Sequence, residues 1–94
     1  MRKSETEQAG PGIRVQFFGR PSDVFGAEQL CAAPAQGLTL GALRQRLAQS
    51  LAGEGGEILL DPSVRGGVDD QVFADSATVK PGQTVLFFST FSGG

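Results

Sequence analysis

The chain has 94 residues, one domain's worth, with eight Lys and Arg against ten Asp and Glu and a formal net charge of −2. That balance lacks the basic face of a nucleic-acid binder, and no run approaches the roughly 18 consecutive apolar residues of a membrane span. With no His, Trp or Tyr and a single cysteine, Cys31, the chain has no imidazole general base, no intramolecular disulfide and no His- or Cys-built metal site.

Residues 1–12, MRKSETEQAGPG, are polar and end in a Gly-Pro-Gly breaker. They read as a disordered leader. They carry no apolar signal segment, so a cytoplasmic location is expected. Ile13 to Phe18 alternates and then doubles its aromatics, the pattern of a strand with a buried face. Gly19 to Asp23 is turn-rich. Glu28 to Ala33 is a weaker strand, stopped by Pro34.

Thr39 opens the one clear helix, its hydroxyl placed to cap the first-turn amides. Leu40, Leu43, Leu47 and Leu51 follow at spacings of three, four and four and share a face. Arg44, Gln45 and Gln49 fall outside that leucine stripe and are expected to face water. Gly53 is expected to end the helix. The GEGGE stretch from Gly53 to Glu57 reads as a loop, because a phosphate-binding loop would need Gly-Lys-Ser/Thr opening a helix. Ile58 to Leu60 is a short strand or turn.

Val64 to Ala74 predicts two strands about a tight turn at Asp69-Asp70, with Val68 and Val72 anchoring the two sides. The two aspartates are read as turn formers, not a catalytic pair. Lys80-Pro81-Gly82-Gln83 fits a turn with Pro second and Gly third, and Thr84 to Phe88 is the last strand. Its alternation puts Val85 and Phe87 on one face and Leu86 and Phe88 on the other.

The most apolar strands are the first and the last, and strands of that kind belong at the centre of a sheet. A long helical connection lets them run parallel. The expected architecture is therefore α+β: a β-grasp domain over residues 13–88, a mixed sheet of four to five strands with one main helix packed across it. Residues 89–94, STFSGG, form the expected flexible tail.

The stretches VQFFGR, TLGALRQRLA, GVDDQV and VLFF, in this order and ahead of a terminal Gly-Gly, resemble the ubiquitin-like sulfur-carrier family. Within it they are most similar to the small subunits of molybdopterin synthase. The resemblance covers roughly residues 13–94. It implies that the reacting group is the carboxylate of Gly94, a poor electrophile until activated. A partner adenylating enzyme of the ubiquitin-activating type would join it to AMP from ATP, and sulfur from a sulfur-donating enzyme would displace the AMP. The product is a thiocarboxylate on Gly94, a soft sulfur nucleophile for the pterin precursor of the molybdenum cofactor.

On this reading the chain binds no cofactor of its own. It is the non-catalytic, sulfur-donating subunit of a heterotetramer with the large synthase subunit. Gly93, Ser92, Phe91, Thr90 and Ser89 would thread into the partner, with Gly93 passing where a Cβ would not, over a reach of roughly 20 Å. Phe88 would face the partner, Phe87 the core, and Phe91 would fill a partner pocket. Where that family usually carries Pro-Pro before the glycines, this chain has Ser89-Thr90. That difference keeps open a sulfur carrier for cysteine, thiamine, a secondary metabolite or tRNA thiolation. A ubiquitin-like protein modifier and a plain β-grasp binding module are the remaining alternatives.

Overall fold

The computed structural model describes residues 12–89. The expected leader up to Pro11, and Thr90 to Gly94 of the expected tail, lie outside the described residues. Seven strands form: β1 (Ile13–Phe18), β2 (Glu28–Cys31), β3 (Leu38–Thr39), β4 (Val64–Val68), β5 (Gln71–Phe73), β6 (Thr78–Val79) and β7 (Thr84–Ser89). Two helices, α1 (Arg20–Phe25) and α2 (Leu40–Ser50), and a 3-10 helix (Gly56–Leu60) complete the fold. The main sheet has the order β2-β1-β7-β4-β5, and β3 pairs with β6 in a two-stranded sheet.

The first and last strands lie side by side and parallel, with Val15 opposite Val85 and Phe17 opposite Phe87. Antiparallel β4 flanks β7 on its other side, with Val64 opposite Ser89 and Gly66 opposite Phe87. Strand β7 is thus paired along both edges, which explains its apolar run. Strand alternation sorts Ile13, Val15, Phe17, Val64, Val68, Val85 and Phe87 to one face, all buried. Helix α2 covers that face with Leu40, Leu43 and Leu47. This is the β-grasp architecture: a mixed five-stranded sheet with one main helix across it.

Close approach of helix and sheet depends on Gly66. A Cβ there would lie 2.8 Å from Leu40 Cδ2 and 3.0 Å from Phe87 Cε1. Thr39 caps α2 as its position predicts, its hydroxyl accepting from the Ala42 amide at 3.1 Å. The 75–77 segment supplies further acceptors: Leu40 N–H donates to the Ala77 carbonyl and Gly41 N–H to that of Asp75. The turn at Lys80–Gln83 closes with the Gln83 amide on the Lys80 carbonyl, and Gly82 sits at φ 92°. Asp69 and Asp70 form the β4–β5 turn, with φ of 53° and 66°. Carboxamide and carboxylate side chains tolerate that left-handed geometry best after glycine.

Five local expectations are corrected by tertiary packing. Gly19 to Asp23 leads into a helix, because Pro21 suits a helix's first turn and Phe25 stacks on Phe17 with ring centroids 4.9 Å apart. Regular α2 geometry stops at Ser50, and Gly53 instead takes a φ of 83° in the turns that follow. Ile58 to Leu60 belongs to a 3-10 helix that buries Leu59. Val72 does not anchor the core: a two-residue turn pairs Gly67 with Val72, and these point to the opposite face from Val68. Finally, Arg44 does not face water. It is buried, because i, i+4 and i+8 spacing (Leu40, Arg44, Ala48) places it on the core-facing side of α2.

Candidate functional site

Strand β7 carries the chain toward its C-terminus through the middle of the sheet. Ser89, expected as the start of the tail, is instead the last strand residue, held opposite Val64. On the other side Gly19, just after β1, lies against it; a Cβ on that glycine would be 3.7 Å from Ser89 Cβ. Ser89 thus sits between the β1–α1 corner and the start of β4. The remaining site residues named from sequence, Thr90, Phe91, Ser92, Gly93 and Gly94, lie outside the described residues.

The helix covers one face of the sheet, and among the described residues the other is left open. On that open face the register places Phe18 beside Phe88 and Gln16 beside Leu86. Phe88 is half-buried and outside the core, on the outward face expected for it, while Phe87 is fully buried as expected. Phe18 is 70% exposed and Val72 56% exposed. With Leu86, they make an apolar surface that runs across β1, β7 and β5. Such contiguous exposed apolar groups mark interaction surfaces more often than scattered ones. Gly67, lacking a side chain, leaves a shallow depression between Leu86, Phe88 and Val72.

The charged groups lie at the margins of this surface. Asp69 and Asp70 edge the depression at the β4–β5 turn, and Arg65 stands opposite Phe88. Arg14 and Glu28 form an ion pair at 3.2 Å, well exposed on both sides. Before β4, Asp61 is held below its ordinary value by hydrogen bonds from the Ser63 backbone and side chain, with Arg20 nearby adding to the effect.

Sequence reasoning singled out Phe88 and put Leu86 on its face, but missed Phe18 and Val72 as further neighbours there. Two signals were available. The doubled Phe17-Phe18 must split across the faces of a strand, and a two-residue turn fixes Val72 opposite Gly67. Cys31 is buried on β2, with β1 between it and β7. Among the described residues, no group of three or more His, Cys, Asp or Glu side chains is arranged to hold a metal, and no helix is long and apolar enough to cross a membrane.

The geometry thus offers an exposed apolar sheet face with Ser89, the last described residue, at the end of its central strand. The family model described as the ThiS family matches residues 15–94, well over half of the sequence. This chain belongs to the ThiS family. The ThiS-family chain is a ubiquitin-like sulfur carrier, and that membership implies an adenylating enzyme and sulfur-transfer proteins as partners.

Two solved structures share the ThiS-family chain's fold. The crystal structure of SAMP1 from Haloferax volcanii matches with a TM-score of 0.63 at 13% identity, covering 87% of this chain and 98% of that one. The solution structure of Urm1 from Trypanosoma brucei matches with a TM-score of 0.60 at 22% identity, covering 89% and 96%. No curated protein sequence matches significantly.

Proposed function

We propose that this sulfur carrier works through its C-terminal carboxylate, as the small subunit of a molybdopterin synthase. The observation that carries the reading is the placement of β7. The central strand carries the chain to Ser89, at the edge of an apolar sheet face that is exposed among the described residues, with five residues remaining to Gly94. Those five residues span at most roughly 17 Å when extended. That length lets the globular part dock outside a partner while the terminus enters its active site.

The chemistry then follows from the carboxylate itself. As an anion it resists nucleophiles. Its attack on the α-phosphorus of ATP, with loss of pyrophosphate, turns it into an acyl-adenylate. Hydrosulfide released by the donor enzyme adds to that carbonyl and expels AMP, leaving the thiocarboxylate on Gly94. The thiocarboxylate sulfur adds to an electrophilic carbon of the pterin precursor, and hydrolysis of the resulting thioester returns the carboxylate and leaves the sulfur on the acceptor as a thiol. Gly94 keeps the carbonyl open from both sides, and Gly93 admits backbone angles that a side chain would resist. No described side chain is asked to act as acid or base, in keeping with a chain that lacks histidine.

The test is the intact mass of the protein after incubation with ATP, sulfide and its host's adenylating enzyme. A gain matching one oxygen replaced by sulfur, lost on deleting Gly94, is expected. The acceptor is tested by adding the thiocarboxylated protein to the large synthase subunit with the pterin precursor and measuring molybdopterin. A second reading is favoured by Ser89-Thr90 standing where a Pro-Pro pair is usual. In it, the same thiocarboxylate serves another sulfur acceptor, as in thiamine or cysteine synthesis. Sulfur gain without molybdopterin formation would decide for it.

A further inference from the structure

We propose that Arg44 is a positioning residue for the carboxyl end of the chain, fixing the final β4–β7 pairing at Phe88 and Ser89 from which that end continues. The proposal rests on the carboxyl-end reading above for its functional half and on contacts within the fold for its structural half.

Arg44 is a cation placed where a leucine would complete the apolar side of α2. One guanidinium nitrogen, Nη1, donates to two carbonyls at 2.7 Å each, those of Leu59 and Val64. Nη2 reaches Asp75 Oδ1 at 3.2 Å, and the guanidinium carbon lies 5.4 Å from the centre of the Phe87 ring. Nε is buried with no partner among the described residues. Taking a cation out of water is costly, and an apolar residue of like volume often serves stability as well or better. An incompletely satisfied guanidinium is therefore poorly explained as a stabiliser alone. Its contacts point instead to geometry.

Leu59 lies near the end of the 3-10 helix and Val64 is the first residue of β4. Holding both carbonyls on one nitrogen closes the Leu60–Ser63 connection and fixes where β4 begins. Val64 and Arg65 in turn pair with Ser89 and Phe88, the last two residues of β7. The same guanidinium packs on Phe87 from the helix side. Arg44 therefore holds both components of the final pairing, and each residue of β7 that came unpaired would shift the chain's exit by roughly 3.3 Å. A planar fork holds two acceptors in fixed directions, which an ammonium does not do.

The experiment compares the wild type with Arg44→Met and Arg44→Lys, using Leu47→Ala as a control that loosens the core elsewhere. Amide hydrogen exchange is followed well below the unfolding temperature, and the adenylation reaction is resolved into kcat and KM. In both Arg44 variants, exchange at Val64, Arg65, Phe88 and Ser89 is expected to rise tenfold or more, with β1–β2 amides still protected. The kcat is expected to fall about three- to tenfold through misplacement of the terminus, with a smaller change in KM because Phe18, Leu86 and Val72 of the docking face lie outside the loosened pairing. Leu47→Ala should show neither the local pattern nor the kcat loss.

Exchange that rises evenly across the sheet, or the same local pattern in Leu47→Ala, would overturn the structural half. Local opening with an unchanged kcat would overturn the functional half. If the wild type itself is not adenylated, the carboxyl-end reading fails, and the exchange data still decide the structural half. Should Arg44→Met not fold, Arg44→Lys carries the same comparison.

Discussion

Replacing Phe18 by Ala separates docking from folding, because the two draw on different parts of the same side chain. A phenylalanine presents roughly 150–250 Å². Phe18 is 70% exposed, so roughly 100–175 Å² is left for a partner to cover. At about 25 cal/mol per Å² this corresponds to roughly 2.5–4 kcal/mol as an upper bound. Alanine retains part of that, and a partner covers the ring incompletely, so about 2 kcal/mol is expected, a roughly thirtyfold rise in KM for adenylation. The smaller part buried within the fold is worth only about 1 kcal/mol by the same conversion. For a domain of this size that lowers Tm by roughly 4–8 °C. The assay is pyrophosphate release by the adenylating enzyme across a range of carrier concentrations, with thermal unfolding run in parallel. A KM within about twofold of the wild type, for a reaction that still requires Gly94, would refute the open sheet face as the docking surface.

Three further outcomes follow from the fold. Gly66→Ala forces a methyl against Leu40 and Phe87 and should cost about 1–3 kcal/mol; measured with Leu40→Ala in a double-mutant cycle, the pair should show relief, and simple additivity would argue against the contact. Thr39→Ala removes the cap on the Ala42 amide and should cost about 0.5–2 kcal/mol in denaturant unfolding, where an unchanged midpoint would discount the cap. Asp61 has a folded pKa depressed below 3.8 by its bonds from Ser63, so its contribution is fully present above that value and lost as the pH falls through the lower folded value. The Tm difference between wild type and Asp61→Ala should therefore hold from neutral pH to about pH 4 and close below it; a gap that persists at lower pH would contradict this linkage.

Much of this architecture could be read before any coordinates were known, and the reasons are local. Period-2 alternation in Ile13–Phe18 and Thr84–Phe88 marked both central strands and sorted Val85 and Phe87 from Leu86 and Phe88. The Thr39 cap and the leucines at 40, 43 and 47 marked the helix. Asp69-Asp70 and Pro81-Gly82 marked their turns by backbone angles that few residues adopt. Each of these signals lies within a handful of residues of the feature it predicts.

Tertiary structure alone decided the features that depend on residues far apart in the chain. Arg44 looked like a solvent-facing charge because the acceptors that permit its burial come from residues 59, 64 and 75, which only the folded chain brings to the helix. Helix α1 exists because Phe25 finds Phe17, and the β3–β6 pair exists because residues 38 and 79 meet. The apolar face formed by Phe18, Leu86, Phe88 and Val72 is assembled from three strands. Strand pairing placed Ser89 in the sheet, opposite Val64. Periodicity determined which side of each element is apolar; only packing across the sheet determined which of those sides was covered and which was left open.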